Sequence, residues 1–191
     1  MSKVIIKPIK ISFFGPSGSG KSTAANLSEE IFEKLCPQYW FHRCDVASPL
    51  HRMQRQVYGI LDLECNGQDG ELLQFLANKF ESHIVNKCVN FVDYLVDFYY
   101  GKVICVNSDC RNNAYQKLKD NGFIFVRVKT KPSVINKRLG EREDITKADQ
   151  ENKVEAIDEI KADYSITNNG NMKTLKKNVK ETLKEIVENN D

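Results

Sequence analysis

Residues 9–22 read Ile9-Lys10-Ile11-Ser12-Phe13-Phe14-Gly15-Pro16-Ser17-Gly18-Ser19-Gly20-Lys21-Ser22. The first six predict a buried strand, apolar at four positions. The next eight satisfy G-x-x-x-x-G-K-[ST], a loop whose backbone N–H groups turn inward around phosphate oxygens. In that pattern Lys21 supplies a charge for the β- and γ-phosphates, and the Ser22 hydroxyl can reach Mg²⁺. Ala24, Leu27, Ile31 and Leu35 then recur at spacings of three and four, which predicts a helix with one apolar face. Strand, glycine loop and helix stand in the order phosphate binding needs, because the helix N-terminus adds a favourable dipole for an anion.

A chain of 191 residues suits one compact domain with a sizeable core. A hydrophobic fraction of 41% and a charged fraction of 28% are ordinary for a globular protein. A net charge of +2 argues against electrostatic nucleic-acid binding by the chain as a whole. No apolar run approaches the ~20 residues of a membrane span. Met1–Pro8 is too short and too charged for a signal peptide. The six cysteines, Cys36, Cys44, Cys65, Cys88, Cys105 and Cys110, form no C-x-x-C, and His42, His51 and His83 complete no zinc spacing. Reduced buried thiols and a cytoplasmic location are expected.

Downstream, strands are expected at Gln38–Cys44, Lys102–Val106, Phe123–Val128 and Asp163–Thr167. Helices are expected at Ala47–Tyr58, Ala114–Lys119, Pro132–Leu139 and Val154–Ile160, and over the closing Leu175–Val187 pattern. Leu72–Tyr100 reads as one long helix or two successive ones, stopped at Gly101. Strands alternating with helices argue for a parallel sheet wrapped on both sides, with ligands at the carboxyl ends of the strands. The phosphate loop, Asp45, Asp109 and Asn168 each follow a predicted strand and should converge on one cleft.

Val103–Arg111 is an apolar strand followed by an acid and a base. A carboxylate there can orient a Mg²⁺-bound water or a metal on Ser22, which makes Ser22 and Asp109 the candidate metal residues. Arg111 can grip a phosphate with a planar fork. Lys137-Arg138-Leu139-Gly140-Glu141-Arg142 fits a cationic lid, with Gly140 as hinge and Arg138 and Arg142 over the transferred group. Arg52 and Arg55 are three apart on one predicted helix and suit an acceptor's phosphate. Asp45 suits either an acceptor sugar or base, or the N-cap of the next helix.

Together these segments resemble the deoxynucleoside monophosphate kinases of tailed bacteriophages, within the P-loop nucleoside/nucleotide kinase superfamily. Gly15–Ser22 matches the ATP loop, and Ala47-Ser48-Pro49-Leu50 resembles the opening of the substrate-side helix. Leu72–Leu76 resembles the Leu-Leu-Gln segment, and Ser108-Asp109-Cys110-Arg111 the Ser-Asp-x-Arg signature. Ala162–Asn168 resembles the strand near the adenine site, a segment dephospho-coenzyme A kinases also share. Asn112-Asn113-Ala114 departs from the family's Phe and Asn-Glu, and Ala77-Asn78 stands where a Gly is usual.

The resemblance implies a P-loop kinase-like three-layer α/β sandwich with a roughly five-stranded parallel sheet. The expected organisation is a single domain over 1–191, with a core of 1–46 and 101–191. A helical substrate-binding insertion would span about 47–100 and a short lid about 136–148. ATP and Mg²⁺ are the implied cofactors, held by Gly15, Pro16, Ser17, Gly18, Ser19, Gly20, Lys21, Ser22, Thr23 and Asn168. Lys21, Asp109, Arg138 and Arg142 are the implied catalytic residues, and Asp45, Arg52, Arg55 and Arg111 the substrate-binding ones. The implied reaction gives a nucleoside diphosphate and ADP, in a monomer or homodimer in the cytoplasm (the host's, if phage-encoded). A nucleoside kinase, a dephospho-coenzyme A kinase and a silent nucleotide-binding protein are the alternatives. A GTPase is disfavoured because Asn78-Lys79-Phe80-Glu81 lacks the guanine-reading Asp.

Overall fold

The computed structural model describes residues 7–110, 112–140 and 160–190. Within them five strands form one parallel sheet: β1 (Ile9–Phe14), β2 (Trp40–Arg43), β3 (Val103–Asn107), β4 (Ile124–Lys129) and β5 (Tyr164–Thr167), in the order β2-β3-β1-β4-β5. The helices are α1 (Lys21–Leu35), α2 (Ser48–Ile60), α3 (Gly70–Phe98), α4 (Asn112–Asp120), α5 (Pro132–Gly140) and α6 (Met172–Asn190). The expected 154–159 helical stretch and lid residues 141–148 lie outside the described residues, as do Arg111 and Arg142.

The central strands are apolar almost throughout because both faces of the sheet are covered. β3 is buried at all five positions, and in β1 only Lys10 is less than fully buried. Lys10 directs its ammonium to the Asn121 carbonyl oxygen at 2.8 Å. Ser12, wholly buried in β1, donates to Asn107 Oδ1 on the neighbouring strand at 3.0 Å, so its hydroxyl is satisfied. On one face Phe14, Cys105 and Phe125 pack with Val85, Val92 and Leu118 from α3 and α4. On the other, Ile11, Phe13 and Val126 pack with Phe32 of α1 and Val179 and Leu183 of α6.

Several elements differ in extent from the sequence expectation. β2 is four residues rather than seven and lies at the sheet edge, where among the described residues one side has no strand to pair with. α3 runs for 29 residues but breaks at Phe80, whose φ of −120° and ψ of 16° leave the helical region. Apolar periodicity continues through a break of this kind, which is why the sequence allowed either one helix or two. No disulfide joins any of the six cysteines. Among the described residues no helix is long and apolar enough to cross a membrane.

Candidate active site

The phosphate loop occupies residues 15–20, between the carboxyl end of β1 and the start of α1. Gly20 takes φ 93°, and a Cβ there would collide with Asn168 Nδ2. Gly15 takes φ 149°, and its Cβ would lie 2.7 Å from the Val128 carbonyl oxygen. Both positions therefore require glycine on two counts, conformation and space. Among the described residues no side chain caps the N-terminus of α1, so none of them competes there with an incoming anion for its orphan N–H groups.

Two distant side chains fix the loop from behind. Asn168, after β5, donates Nδ2 to the Ser19 carbonyl oxygen at 2.7 Å. Thr130, after β4, donates Oγ1 to the same oxygen at 2.9 Å. Arg138 of α5 donates to the Gly18 carbonyl oxygen at 3.2 Å and to Asn168 Oδ1 at 3.4 Å. Lys21 reaches back to the Pro16 carbonyl oxygen at 3.4 Å. Beside these groups lies a cavity of about 300 Å³, bounded by the loop with Ser22 and Thr23, by Arg138 and by residues 168–175.

A second polar cluster sits at the carboxyl ends of β2 and β3. Asp45 Oδ1 accepts from the Ser108 N–H at 2.7 Å and its hydroxyl at 3.0 Å. Its Oδ2 pairs with Arg43 Nη2 at 2.6 Å. Arg43 also donates to Ser108 Oγ at 2.8 Å and to Asn26 Oδ1 of α1 at 2.5 Å, which ties this cluster to the phosphate-loop helix. Asp45 does not cap α2 with its side chain; the capping position belongs to Ala47.

Asp109 holds the entry to α2. It accepts from the backbone N–H groups of Val46 at 2.8 Å and Ala47 at 2.7 Å, and from Asn107 Nδ2 at 2.8 Å. Burial, with the Asp45 charge adding to it, pushes its carboxyl up to about 6, although the three donors act in the opposite sense. A carboxylate has roughly four accepting positions, so this set leaves room for about one more donor, such as a water. Arg52 and Arg55 are exposed on α2 and make no ion pair among the described residues.

The sequence expectation is that the phosphate loop, Asp45, Asp109 and Asn168 converge on one cleft. All four follow parallel strands at one end of the sheet, and the loop and Asn168 line one cavity, but Asp45 and Asp109 do not line it. Arg43, Asn107 and Thr130 were not singled out from the sequence. Each stands at or beyond a strand's carboxyl end, and that position was the available signal. Burial pushes the Cys88 and Cys110 thiols up to about 12, which disfavours their thiolate forms. Among the described residues no group of three or more His, Cys, Asp or Glu side chains is placed to hold a metal.

No family model and no curated protein matches the chain. Solved structures do. A sugar kinase from Janibacter superposes with a TM-score of 0.60 at 14% identity, covering 95% of each chain. A shikimate kinase from Acinetobacter baumannii, solved with shikimate, gives 0.58 at 15% identity over 99% of this chain and 98% of that one. The APS kinase CysC of Mycobacterium tuberculosis, solved with AMPPNP and APS, gives 0.51 at 17% identity over 95% and 99%. The chain thus has the α/β fold of P-loop kinases such as shikimate kinase and APS kinase.

Proposed function

We propose that the protein transfers the γ-phosphoryl group of ATP to a nucleoside monophosphate, giving the diphosphate and ADP, with a deoxynucleotide as the acceptor the sequence resemblance favours. The observation that carries the reading is the phosphate loop itself, at the N-terminus of α1 and with a cavity of about 300 Å³ beside it. That the superposed structures include kinases of small acceptors, one solved with an ATP analogue, supports it.

Lys21 and Arg138 would neutralise charge on the triphosphate and the moving group. Arg142 and Arg111 have the same chemistry and, lying outside the described residues, are assigned from the sequence alone. The cavity wall at Gly170–Met172 would receive the base. Asn168 acts through the loop it holds, with its Nδ2 committed to Ser19. Mg²⁺ fits this donor set: the exposed Ser22 hydroxyl is a hard oxygen ligand, and Mg²⁺ is commonly held by substrate phosphates plus one or two protein oxygens. Bound there it would offset the charge of the β- and γ-phosphates. Asp109, with one accepting position left, would orient a water rather than bind the ion directly.

On the acceptor side, Arg52 and Arg55 present two cations with no carboxylate to satisfy them among the described residues. A monophosphate supplies the missing anion and needs no strong base, since its oxygen is already charged. A nucleoside hydroxyl would require a proton acceptor. Asp45 is the candidate for that task, but its oxygens are already taken by Arg43 and Ser108. This favours the monophosphate over the nucleoside. The location fitting the reading is the cytoplasm, where nucleotides and ATP are available.

A coupled assay for ADP, run with ATP, Mg²⁺ and a panel of ribo- and deoxyribonucleoside monophosphates, nucleosides and dephospho-coenzyme A, tests the proposal. Turnover is expected with one or more monophosphates. Turnover confined to nucleosides or dephospho-coenzyme A would replace the acceptor assignment, and ATP binding without turnover on any of them would leave a nucleotide-binding protein without transferase activity.

A further inference from the structure

The flank of the molecule beyond β2 carries a continuous aromatic strip of which only Tyr99 packs against a core. Phe91, Tyr94 and Phe98 recur at spacings of three and four along the outer face of α3 and are 45%, 57% and 58% exposed. Phe98 stacks on Tyr94 at 5.7 Å and meets Tyr99 edge-on at 4.9 Å, and Tyr99 stacks on Trp40 of β2 at 5.4 Å. Trp40 is itself 61% exposed and Tyr100 89%. The strip lies along the edge strand and apart from the phosphate loop.

Its extent points to a protein partner. At roughly 200 Å² for a whole aromatic residue, these exposed fractions come to about 600 Å². That is at the upper end of patches on monomers, and near the ~800 Å² that each partner buries in a stable interface. Its order along α3 points to a second copy. From the N-terminal end the strip reads Lys87, Phe91, Tyr94, Phe98. Laid antiparallel on itself about an axis between Phe91 and Tyr94, it sets Phe91 against Tyr94 of the other copy. The same register places Lys87, exposed and without a carboxylate partner among the described residues, over the other Phe98 ring, a cation–π match made twice by symmetry.

We propose that the chain forms a symmetric dimer through this face, with α3 crossing its copy antiparallel between Phe91 and Tyr94. The break at Phe80 divides the helix, so residues 81–98 serve the interface while residues 70–79 stay with α2 on the acceptor side. The inference goes beyond the proposed reaction and holds or fails independently of it.

Sedimentation equilibrium of the full chain at about 1–100 µM is the test. The expected particle is about 44 kDa, twice the 21.9 kDa chain. The Phe91→Glu/Tyr94→Glu double variant is expected to sediment as a single chain, with its dissociation constant raised at least ~100-fold. Lys87→Glu, an exposed charge reversal that folding tolerates, is expected to weaken the dimer several-fold and keeps the test open if the double variant lacks a cooperative melt. A wild-type particle of one chain mass throughout would overturn the proposal. So would a folded variant set that dimerises as tightly as wild type, since the interface would then lie elsewhere.

Discussion

Asn168 and Lys21 show how differently two residues of one site act. Lys21 points its charge into the loop, where a triphosphate would sit. Asn168 is buried and spends its amide on the Ser19 carbonyl, a bond spanning 149 positions of sequence. Asn168→Ala leaves that oxygen with Thr130 alone and opens a space beside Gly20. The variant should lose about 1–2 kcal/mol of stability and raise the KM for ATP several-fold with a smaller change in kcat, measured by urea unfolding and initial rates. A residue that bound the nucleotide only directly would raise KM with stability unchanged.

Asp109 carries a pH dependence whose sign follows from its burial. Its carboxyl is raised from the usual 3.8 to about 6, so the folded protein holds this proton more tightly than the unfolded chain does. A raised acid contributes stability that is fully present below the unfolded value and is lost as pH rises through 6. Between pH 5 and pH 7 the loss is about 1 kcal/mol from this group. Asp109→Asn lacks the titration, so the stability of wild type relative to the variant should fall by about that amount from pH 5 to pH 7, read from paired urea titrations. An unchanged difference would show that Asp109 titrates normally.

At the scale of elements, the central strands β1 and β3 were legible because they are buried on both faces and read as short apolar runs. Ile9–Phe14 has the same bounds in sequence and structure. β2 was overestimated because Tyr39, Trp40 and Phe41 look like core residues. Trp40 in fact faces outward at the sheet edge, and sequence gives no direct sign of which strand is outermost. The role of α2 was legible only in part. Pro49 marked its start, but the clamp from Asp109 on the Val46 and Ala47 N–H groups depends on strand order, which no local pattern encodes. If α2 carries the acceptor's phosphate, Arg52→Gln combined with Arg55→Gln should raise the acceptor KM by ~10- to 100-fold per lost charged contact and leave the KM for ATP near wild type. Equal KM effects on both substrates would place these arginines elsewhere in the reaction.

For the whole molecule, the phosphate loop sets the fold more firmly than it sets the acceptor. At 14–17% identity to a sugar kinase, a shikimate kinase and an APS kinase, what persists is the parallel sheet and its wrapping. One such framework hosts different acceptors because the loops and helices beyond the strand ends change. The loop was readable from sequence because its chemistry is local, eight consecutive residues with fixed roles. The contacts that support it were not: Thr130 and Asn168 meet Ser19 only once β4 lies beside β1 and β5 beside β4.

Transfer of label from γ-³²P-ATP, with chromatographic separation of the products, tests the central claim most directly. With Mg²⁺ and the right nucleoside monophosphate, the label should appear in the β-position of the diphosphate, and Lys21→Ala should lower its rate at least ~100-fold. Label that stays in ATP with every monophosphate, or transfer that survives Lys21→Ala at a near-normal rate, would contradict the account.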